Sequence, residues 1–268
     1  MKVGVSYNLW KGEEFIPYAI KTIRPKVDYI VIVYQNLSNY KQERKDDLRP
    51  VMQEWKDVGL IDDFVYYEPE FNGIEKKFWG THNELIKRNI GLNKCRENGC
   101  DYLLDCDSDE IYDPSQFLFG LRVVMCGKFD SSFCKMNTFY KYPDCQLTPP
   151  ETYYVPFIYK INKNTRFEPI ENDRFPVIVD GKRRIKCKHS RIFTRDELVM
   201  YHYSYVRADE EEMIAKFENC SSKVNFSQER IKKLIHIYKN FKIGNNIEYG
   251  LDQMFGTKKV NNRFNIKL

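Results

Sequence analysis

The sequence predicts an α/β fold with a mostly parallel central sheet flanked by helices. In the first half of the 268-residue chain, short apolar segments alternate with segments whose apolar residues recur every three to four positions. That alternation is typical of strands separated by amphipathic helices. The run Tyr29–Tyr34 is apolar throughout, as in a parallel strand that is buried on both faces. Such an order favours right-handed crossovers and a sheet between two helical layers.

The first half contains four predicted strands and three predicted helices. The third helix begins at Thr81, where Glu84 completes a capping box, and extends to about Arg96. Pro25 and Gly59 mark the ends of the first two helices. The predicted strands are Lys2–Tyr7, Tyr29–Tyr34, Phe64–Tyr67 and Tyr102–Leu104. The apolar stripes of the first two helices are Ile16, Ala19, Ile20 and Ile23, then Leu48, Val51, Met52 and Trp55.

The second half is less regular, and its predicted elements are shorter. Because no repeat or linker divides the chain, we expect a single domain over 1–268, with halves 1–115 and 116–268. Helices are predicted near 111–127, 209–219 and 228–241, and strands near 153–161, 177–179, 191–193 and 200–206.

Composition limits the possible functions. Lys and Arg number 43 against 38 Asp and Glu, a surplus too small and too dispersed for a nucleic-acid binder. No apolar run approaches the ~20 residues of a transmembrane helix, and the N-terminus lacks the pattern of a signal peptide. The eight cysteines form no C-x-x-C pair. We therefore expect reduced thiols and a cytoplasmic protein.

Four carboxylates follow the fourth predicted strand, in the run Asp105-Cys-Asp107-Ser-Asp109-Glu110. Ligands bind parallel sheets at the carboxyl ends of the strands. Strand alternation would place the three aspartates on one side, where they repel one another unless a cation or a proton intervenes. Mg²⁺ and Mn²⁺ prefer such oxygen ligands, so a metal site is expected; a solvated acidic turn is the alternative.

Two segments together resemble a known family. Arg88-Asn89-Ile90-Gly91-Leu92 precedes the strand that ends in the D-x-D-E run at 107–110. This order resembles the nucleotide-sugar half of family 2-like glycosyltransferases with the GT-A fold, over about residues 1–115. The resemblance implies a GT-A-like (Rossmann-like) domain with a nucleotide-sugar-binding half, 1–115. Residues 116–268 would then form an irregular acceptor-side half with C-terminal helices.

The resemblance also implies an activity. We expect a glycosyltransferase dependent on Mn²⁺ or Mg²⁺ that moves a hexosyl or pentosyl unit from a nucleoside-diphosphate donor, a UDP-sugar foremost. The acceptor would be a hydroxyl of a glycan-type molecule, and the anomeric centre would be inverted. A metal-dependent nucleotidyltransferase or nuclease, which also clusters carboxylates, is one alternative. A non-catalytic sugar-binding relative is the other.

Site residues follow from the same resemblance. Asp109 would bind the metal that bridges the diphosphate, Asp107 would contact the ribose or the metal's waters, and Glu110 would lie near the sugar. Tyr7 is equally well interpreted as a core residue, and Arg88 as a surface residue paired with Glu84. The donor residues expected are Tyr7, Asn8, Gln35, Asn36, Arg88, Asp107, Glu110 and Arg207, and the metal ligands Asp107, Asp109 and His202.

Two expectations concern the second half. The segment from His202 to Arg207 resembles one that some of these enzymes fold back over the donor, although His202 could equally be an ordinary histidine in an aromatic strand. Inversion requires a general base, for which Glu168 and Asp173 lie in a proline-punctuated stretch. Each of these two is equally an ordinary surface carboxylate. Other candidates are Asp144, Glu151 and Glu171.

Overall fold

A computed structural model describes residues 1–171, 175–219, 227–249 and 253–268. Within these ranges, helices pack on both faces of a twisted sheet. The strands are β1 (Val3–Leu9), β2 (Tyr29–Tyr34), β3 (Asp63–Tyr66), β4 (Tyr102–Asp107), β5 (Glu110–Tyr112), β6 (Ser131–Tyr140), β7 (Cys145–Thr148), β8 (Tyr154–Lys160), β9 (Ser190–Ile192), β10 (Val199–Tyr205), β11 (Ile247–Tyr249) and β12 (Gln253–Lys259). The helices are α1 (Ile16–Ile23), α2 (Arg49–Asp57), α3 (Trp79–Glu97), α4 (Pro114–Cys126), α5 (Glu210–Asn219) and α6 (Gln228–Lys239).

The centre of the sheet is parallel. Strands β3, β2, β1 and β4 lie side by side in that order and all run in one direction. This arrangement confirms the predicted α/β class with a largely parallel central sheet flanked by helices. On the far side of β4, β8 pairs antiparallel with both β4 and β6, and β10 joins the sheet between β5 and β6. Strands of the second half therefore cover the edge of β4.

The sheet has a hydrophobic layer on each face. Along β2, Ile30 and Ile32 contribute to the cluster that contains residues of α1, α2 and α4, whereas Tyr29 and Val31 contribute to the cluster on the α3 side. A third cluster joins α5 and α6 to β7, β11 and β12. None of the helices in the described ranges is both long and apolar enough to cross a membrane.

Some predicted elements differ from the observed ones. Helix α3 begins at Trp79 rather than Thr81, and no side chain caps it, because Glu84 instead pairs with Lys87 and Arg88. Strand β6 was not predicted, since its polar and apolar residues follow no clear period. The predicted strand at 177–179 is irregular backbone. Tertiary pairing with four other strands, β7, β8, β9 and β10, makes β6 a strand.

Gly91 explains how α3 reaches the sheet. A Cβ atom at Gly91 would lie 1.8 Å from the Oγ atom of Ser6 on β1, so a side chain larger than hydrogen does not fit there. Without one, the backbone of α3 packs directly on β1. Arg88, about one turn earlier on α3, is thereby carried to the carboxyl end of β4 and is buried there.

Candidate active site

The carboxyl ends of β1, β2 and β4 meet at one edge of the sheet. Residues 105–110, which we call the acidic loop, lead from β4 into β5 at this edge. Asn8 pairs in register with Asp107, and its Nδ2 atom donates to Asp105 over 3.3 Å. Gln35 directly follows β2. The predicted convergence of these strand ends is therefore present in the structure.

Arg88 holds the first two aspartates of the loop. Its guanidinium donates to the carboxylate of Asp105 and, over 2.8 Å, to Oδ1 of Asp107. Although burial opposes ionisation of Asp107, Arg88 and Arg183 lower its pKa to about 2. The Asp105 side chain is buried, whereas that of Asp107 is 41% exposed. Asp107 is thus an ionised carboxylate that a ligand can reach.

Arg183 fixes the end of the loop from the opposite side. It belongs to a short 3₁₀ turn, Gly181–Arg183, and donates to both carboxylate oxygens of Glu110 over 2.5 and 3.0 Å. It also donates to the backbone carbonyl of Asp105 over 2.5 Å. Burial raises the pKa of Glu110, while the charge of Arg183 acts in the opposite direction. The second half of the chain therefore stabilises the conformation of the loop.

Asp109 lies among three basic side chains. Its Oδ2 atom accepts from Arg207 over 2.7 Å and from Lys216 over 2.9 Å, and Oδ1 lies 3.6 Å from Nε2 of His202. Burial opposes ionisation, yet Lys216, His202 and Arg207 hold the pKa of Asp109 well below its usual range. Strand pairing brings His202 here, because β10 places it opposite Glu110 of β5.

These contacts correct the predicted electrostatics of the loop. Alternation does not extend to Asp109, since β4 ends at Asp107 and the chain turns. The charges that compensate the carboxylates are also part of the protein: each loop carboxylate contacts at least one arginine. Those arginines are Arg88, Arg183 and Arg207. Crowding of the carboxylates does not by itself require a metal ion.

Two of the predicted donor residues have other partners within the protein. Tyr7 is only 1% exposed, because β1 is buried on both faces, so its ring is part of the core. Asn36 donates to Asp47 over 2.6 Å and accepts from the backbone of Leu48 over 3.1 Å, next to the start of α2. Its amide is therefore used to shape this turn.

Asn8 and Gln35 retain unused hydrogen-bonding capacity. Gln35 donates to Asn39 over 3.1 Å, and Asn39 donates to Glu84 over 3.0 Å. The Oδ1 atom of Asn8 and the Oε1 atom of Gln35 are buried and accept no hydrogen bond from the described residues. Buried polar atoms without a partner are costly, so these acceptors are suited to a ligand that donates hydrogen bonds.

Of the two predicted base candidates, Glu168 contacts no residue of the loop in the described ranges. Glu168 pairs with Arg166 over 2.9 Å, and Asp173 lies outside the described residues. Asp180, which precedes the turn of Arg183, is instead close to the site. Although burial opposes ionisation, Lys182 and Arg88 lower the pKa of Asp180, whose side chain is 42% exposed.

The donor atoms near Asp109 fit a divalent ion that is shared with a ligand. No group of three or more His, Cys, Asp or Glu side chains in the described ranges is arranged to hold a metal. Asp109 and His202 nevertheless offer an oxygen and a nitrogen 3.6 Å apart, and His202 Nδ1 is buried without a hydrogen-bond partner in the described ranges. Mg²⁺ is commonly held by one or two protein ligands plus phosphate oxygens. An ion held by this pair would therefore take its remaining ligands from a bound phosphate or from water.

Sequence reasoning missed Arg183 as a site residue. It belongs to the run Lys182-Arg183-Arg184, and such a run ordinarily indicates a solvated surface, yet all three residues are buried. Neighbouring aromatic and proline residues were the only local sign that this segment packs inward. The partners of Arg183 lie more than seventy residues earlier, so no local pattern identifies them.

No protein-family model matches this chain, and no curated protein matches it in sequence. Among solved structures it is similar to S. aureus TarS, with 11% identity over 90% of this chain and 43% of that chain, at a TM-score of 0.47. This chain therefore spans less than half the length of that protein. A structure of S. aureus TarS 1–349 in complex with UDP-GlcNAc is 13% identical over 90% of this chain and 72% of that chain, at a TM-score of 0.46.

A third similar structure has a smaller overlap. It is glucosyl-3-phosphoglycerate synthase from Mycobacterium tuberculosis in complex with Mn²⁺, UDP and phosphoglyceric acid. It is 14% identical over 51% of this chain and 43% of that chain, at a TM-score of 0.30. All three TM-scores are below 0.5, and the ligands in those structures are properties of those proteins.

Proposed function

We propose that this protein is a glycosyltransferase that uses a nucleoside-diphosphate sugar as donor. The acidic loop carries the proposal: at the carboxyl edge of a parallel sheet, it presents the exposed, ionised Asp107 beside the pair Asp109 and His202. The resemblance of the 88–92 helix and the 107–110 run to GT-A enzymes supports the same activity. UDP is the proposed nucleotide, and a glycan hydroxyl the proposed acceptor.

The donor would lie across the strand ends. The unpaired acceptors of Asn8 and Gln35 are suited to hydrogen-bond donors of the nucleoside, and Asp107 to the ribose hydroxyls. Asp109 and His202 would hold Mn²⁺ or Mg²⁺, which neutralises charge on the departing diphosphate. These roles assign the base and ribose to one end of the loop and the diphosphate to the other.

The acceptor side of the site would supply the base. We assign this role to Asp180, a partly exposed carboxylate that pairs with Lys182 over 3.1 Å and precedes the turn of Arg183, which contacts the loop. A carboxylate there can accept the proton of an acceptor hydroxyl as the glycosidic bond forms. Direct attack by that hydroxyl inverts the anomeric centre. A hexosyl or a pentosyl unit is compatible with this arrangement.

Thermal unfolding with nucleotides tests the proposed function. A ligand present at 100 times its Kd adds about 2.7 kcal/mol to the free energy of unfolding, which is roughly 5 to 10 °C in Tm. We expect UDP with Mn²⁺ to produce such a shift, ADP to produce less, and EDTA to abolish it. The variant Asp107→Asn should lose most of the shift, because the amide no longer carries the charge of the carboxylate.

Asp101→Asn is the matched control, since Asp101 lies just before the opposite, amino end of β4 and its side chain is exposed. It should retain the shift that the wild-type protein shows. A wild-type protein that no nucleoside diphosphate stabilises, with or without metal, would contradict the proposed function. Hydrolysis of the UDP-sugar that is selected in this way would then identify the donor.

A further inference from the structure

Lys216 and Arg207 hold the same oxygen of Asp109 in different ways. Arg207 is fixed: it donates to the backbone carbonyls of Tyr203 and Val206 over 3.0 and 2.6 Å, and it stacks 5.5 Å from the ring of Phe15. Lys216 reaches Asp109 from α5 on a flexible four-carbon stem, and its side chain is 22% exposed. Lys216 Nζ also lies 5.7 Å from the ring of Tyr205, and rotation about its stem allows the ammonium to change partners without a backbone movement.

The helix that carries Lys216 is anchored beside the site. Glu212 of α5 pairs with Lys11 after β1 over 2.6 Å, and Asn219 accepts from Ser38, in the loop after β2, over 2.8 Å. These contacts keep α5 next to the same strand ends that the donor would occupy. A lysine on this helix can therefore reach both Asp109 and an anion bound at the acidic loop.

We propose that Lys216 occupies Asp109 while the donor is absent and transfers to the donor diphosphate when metal and nucleotide bind together. A divalent ion alone must approach a carboxylate that is already paired with an ammonium 2.9 Å away. Repulsion between the two cations then weakens the binding of metal without nucleotide. The diphosphate removes this competition, because it offers the ammonium a new anionic partner.

The consequence is that the affinity for the metal ion depends on whether the nucleotide is bound. Metal and nucleotide bind cooperatively, and the pair Asp109–His202 has low affinity for a metal ion until an anion has drawn Lys216 away. This inference rests on the proposed function, since the anion is the diphosphate of the donor. A merely structural role of Lys216 in holding α5 would not change the affinity for a metal ion in this way.

The test measures Mn²⁺ binding without nucleotide, from the electron paramagnetic resonance of free Mn²⁺. We expect Lys216→Met to bind Mn²⁺ at least about tenfold more tightly than wild type, because one competing charge is gone. The same variant should bind UDP about tenfold more weakly at saturating Mn²⁺, since the diphosphate loses a partner. Opposite changes for the two ligands are the signature of an exchanged cation.

Three controls accompany this variant. Lys216→Arg retains the charge and should bind Mn²⁺ as wild type does, and Lys216→Gln replaces the Met variant if that protein does not fold. Lys45→Met removes an equal charge from an exposed lysine that pairs with Glu211 of α5, so it reports the effect of net charge alone. The proposal is overturned if neither neutral variant at Lys216 binds Mn²⁺ more tightly than Lys45→Met. Wild-type protein that fails to bind UDP with Mn²⁺ instead refutes the proposed function.

Discussion

Arg183 and Glu110 form an ion pair in which both side chains are almost fully buried. Removing one partner of such a pair leaves a buried charge uncompensated, which typically costs about 3–5 kcal/mol. We expect Arg183→Met to lower the free energy of unfolding by about that amount, as measured by urea titration. Arg166→Met is the control: its exposed pair with Glu168 should contribute less than about 1 kcal/mol. If both variants lost the same free energy of unfolding, the buried pair of Arg183 would contribute no more to stability than the pair of Arg166.

At this scale, the sequence predicted the acidic residues of the candidate site but not Arg183, the partner of Glu110. Asp107 and Asp109 could be predicted as candidates because they lie at the carboxyl end of a buried parallel strand, where such sheets bind ligands. Arg183 could not, since a pairing across more than seventy residues leaves no local trace. The role of Tyr7 was ambiguous for a different reason: a tyrosine at the end of a strand is common both in cores and in pockets.

Helix α4 begins with a side chain that has two functions. Oδ1 of Asp113 accepts from the backbone of Ser115 and Gln116 over 3.0 and 3.1 Å, and Oδ2 accepts from Arg263 over 2.6 Å. Asp113→Asn retains an oxygen for the cap but loses the ion pair, whereas Asp113→Ala loses both. We expect the Ala variant to be less stable than the Asn variant by about 1 kcal/mol in urea unfolding.

The same residue predicts a pH dependence with a definite sign. Burial opposes ionisation, but Ser115, Arg263 and Gln116 lower the pKa of Asp113 below its ordinary value. The carboxylate therefore adds stability above the ordinary carboxyl pKa, and this contribution is lost as the pH falls through the lower folded value. The difference between wild type and Asp113→Asn should be constant above about pH 5 and should shrink as the pH falls below that value. A difference that stayed constant below it as well would exclude the charge of Asp113 as its source.

Elements with a clear period were predicted well, and those without one were not. The unbroken run of β2 predicted its observed bounds, Tyr29–Tyr34. The apolar stripe of α1 begins and ends at the observed bounds Ile16 and Ile23, although Pro25 was expected to mark the end of this helix. Strand β6 had no such pattern, because it pairs with four neighbouring strands whose surroundings differ. Its conformation follows from partners that are distant in sequence.

At the scale of the whole molecule, the second half of the chain supplies strand and charge partners to the first half. Strand β8 covers the edge of β4, and Arg183 compensates Glu110. A fragment of residues 1–115 would expose this edge and leave the charge of Glu110 unpaired. We expect it to show no cooperative thermal unfolding by circular dichroism, in agreement with a single domain over 1–268.

The full chain, melted under the same conditions, is the control for this fragment. Co-expression with residues 116–268 should restore a cooperative transition if the two halves find each other in the cell. A sharp transition in the isolated fragment would instead mean that the parallel strands fold independently of the second half.

The register of β10 against β5 determines whether His202 reaches the candidate site. Tyr203 stacks on Phe139 with ring centroids 4.5 Å apart, and its neighbour His202 is paired opposite Glu110. A slip of one residue would exchange these two faces, so that a tyrosine would stand opposite Glu110 and the imidazole would enter the aromatic layer. Such a molecule would keep its strands and helices but would lose the pair Asp109–His202. The register of β10 that allows Tyr203 to stack on Phe139 is also the register that places His202 opposite Glu110. The aromatic stack therefore stabilises the position of His202 although it lies on the other face of the strand.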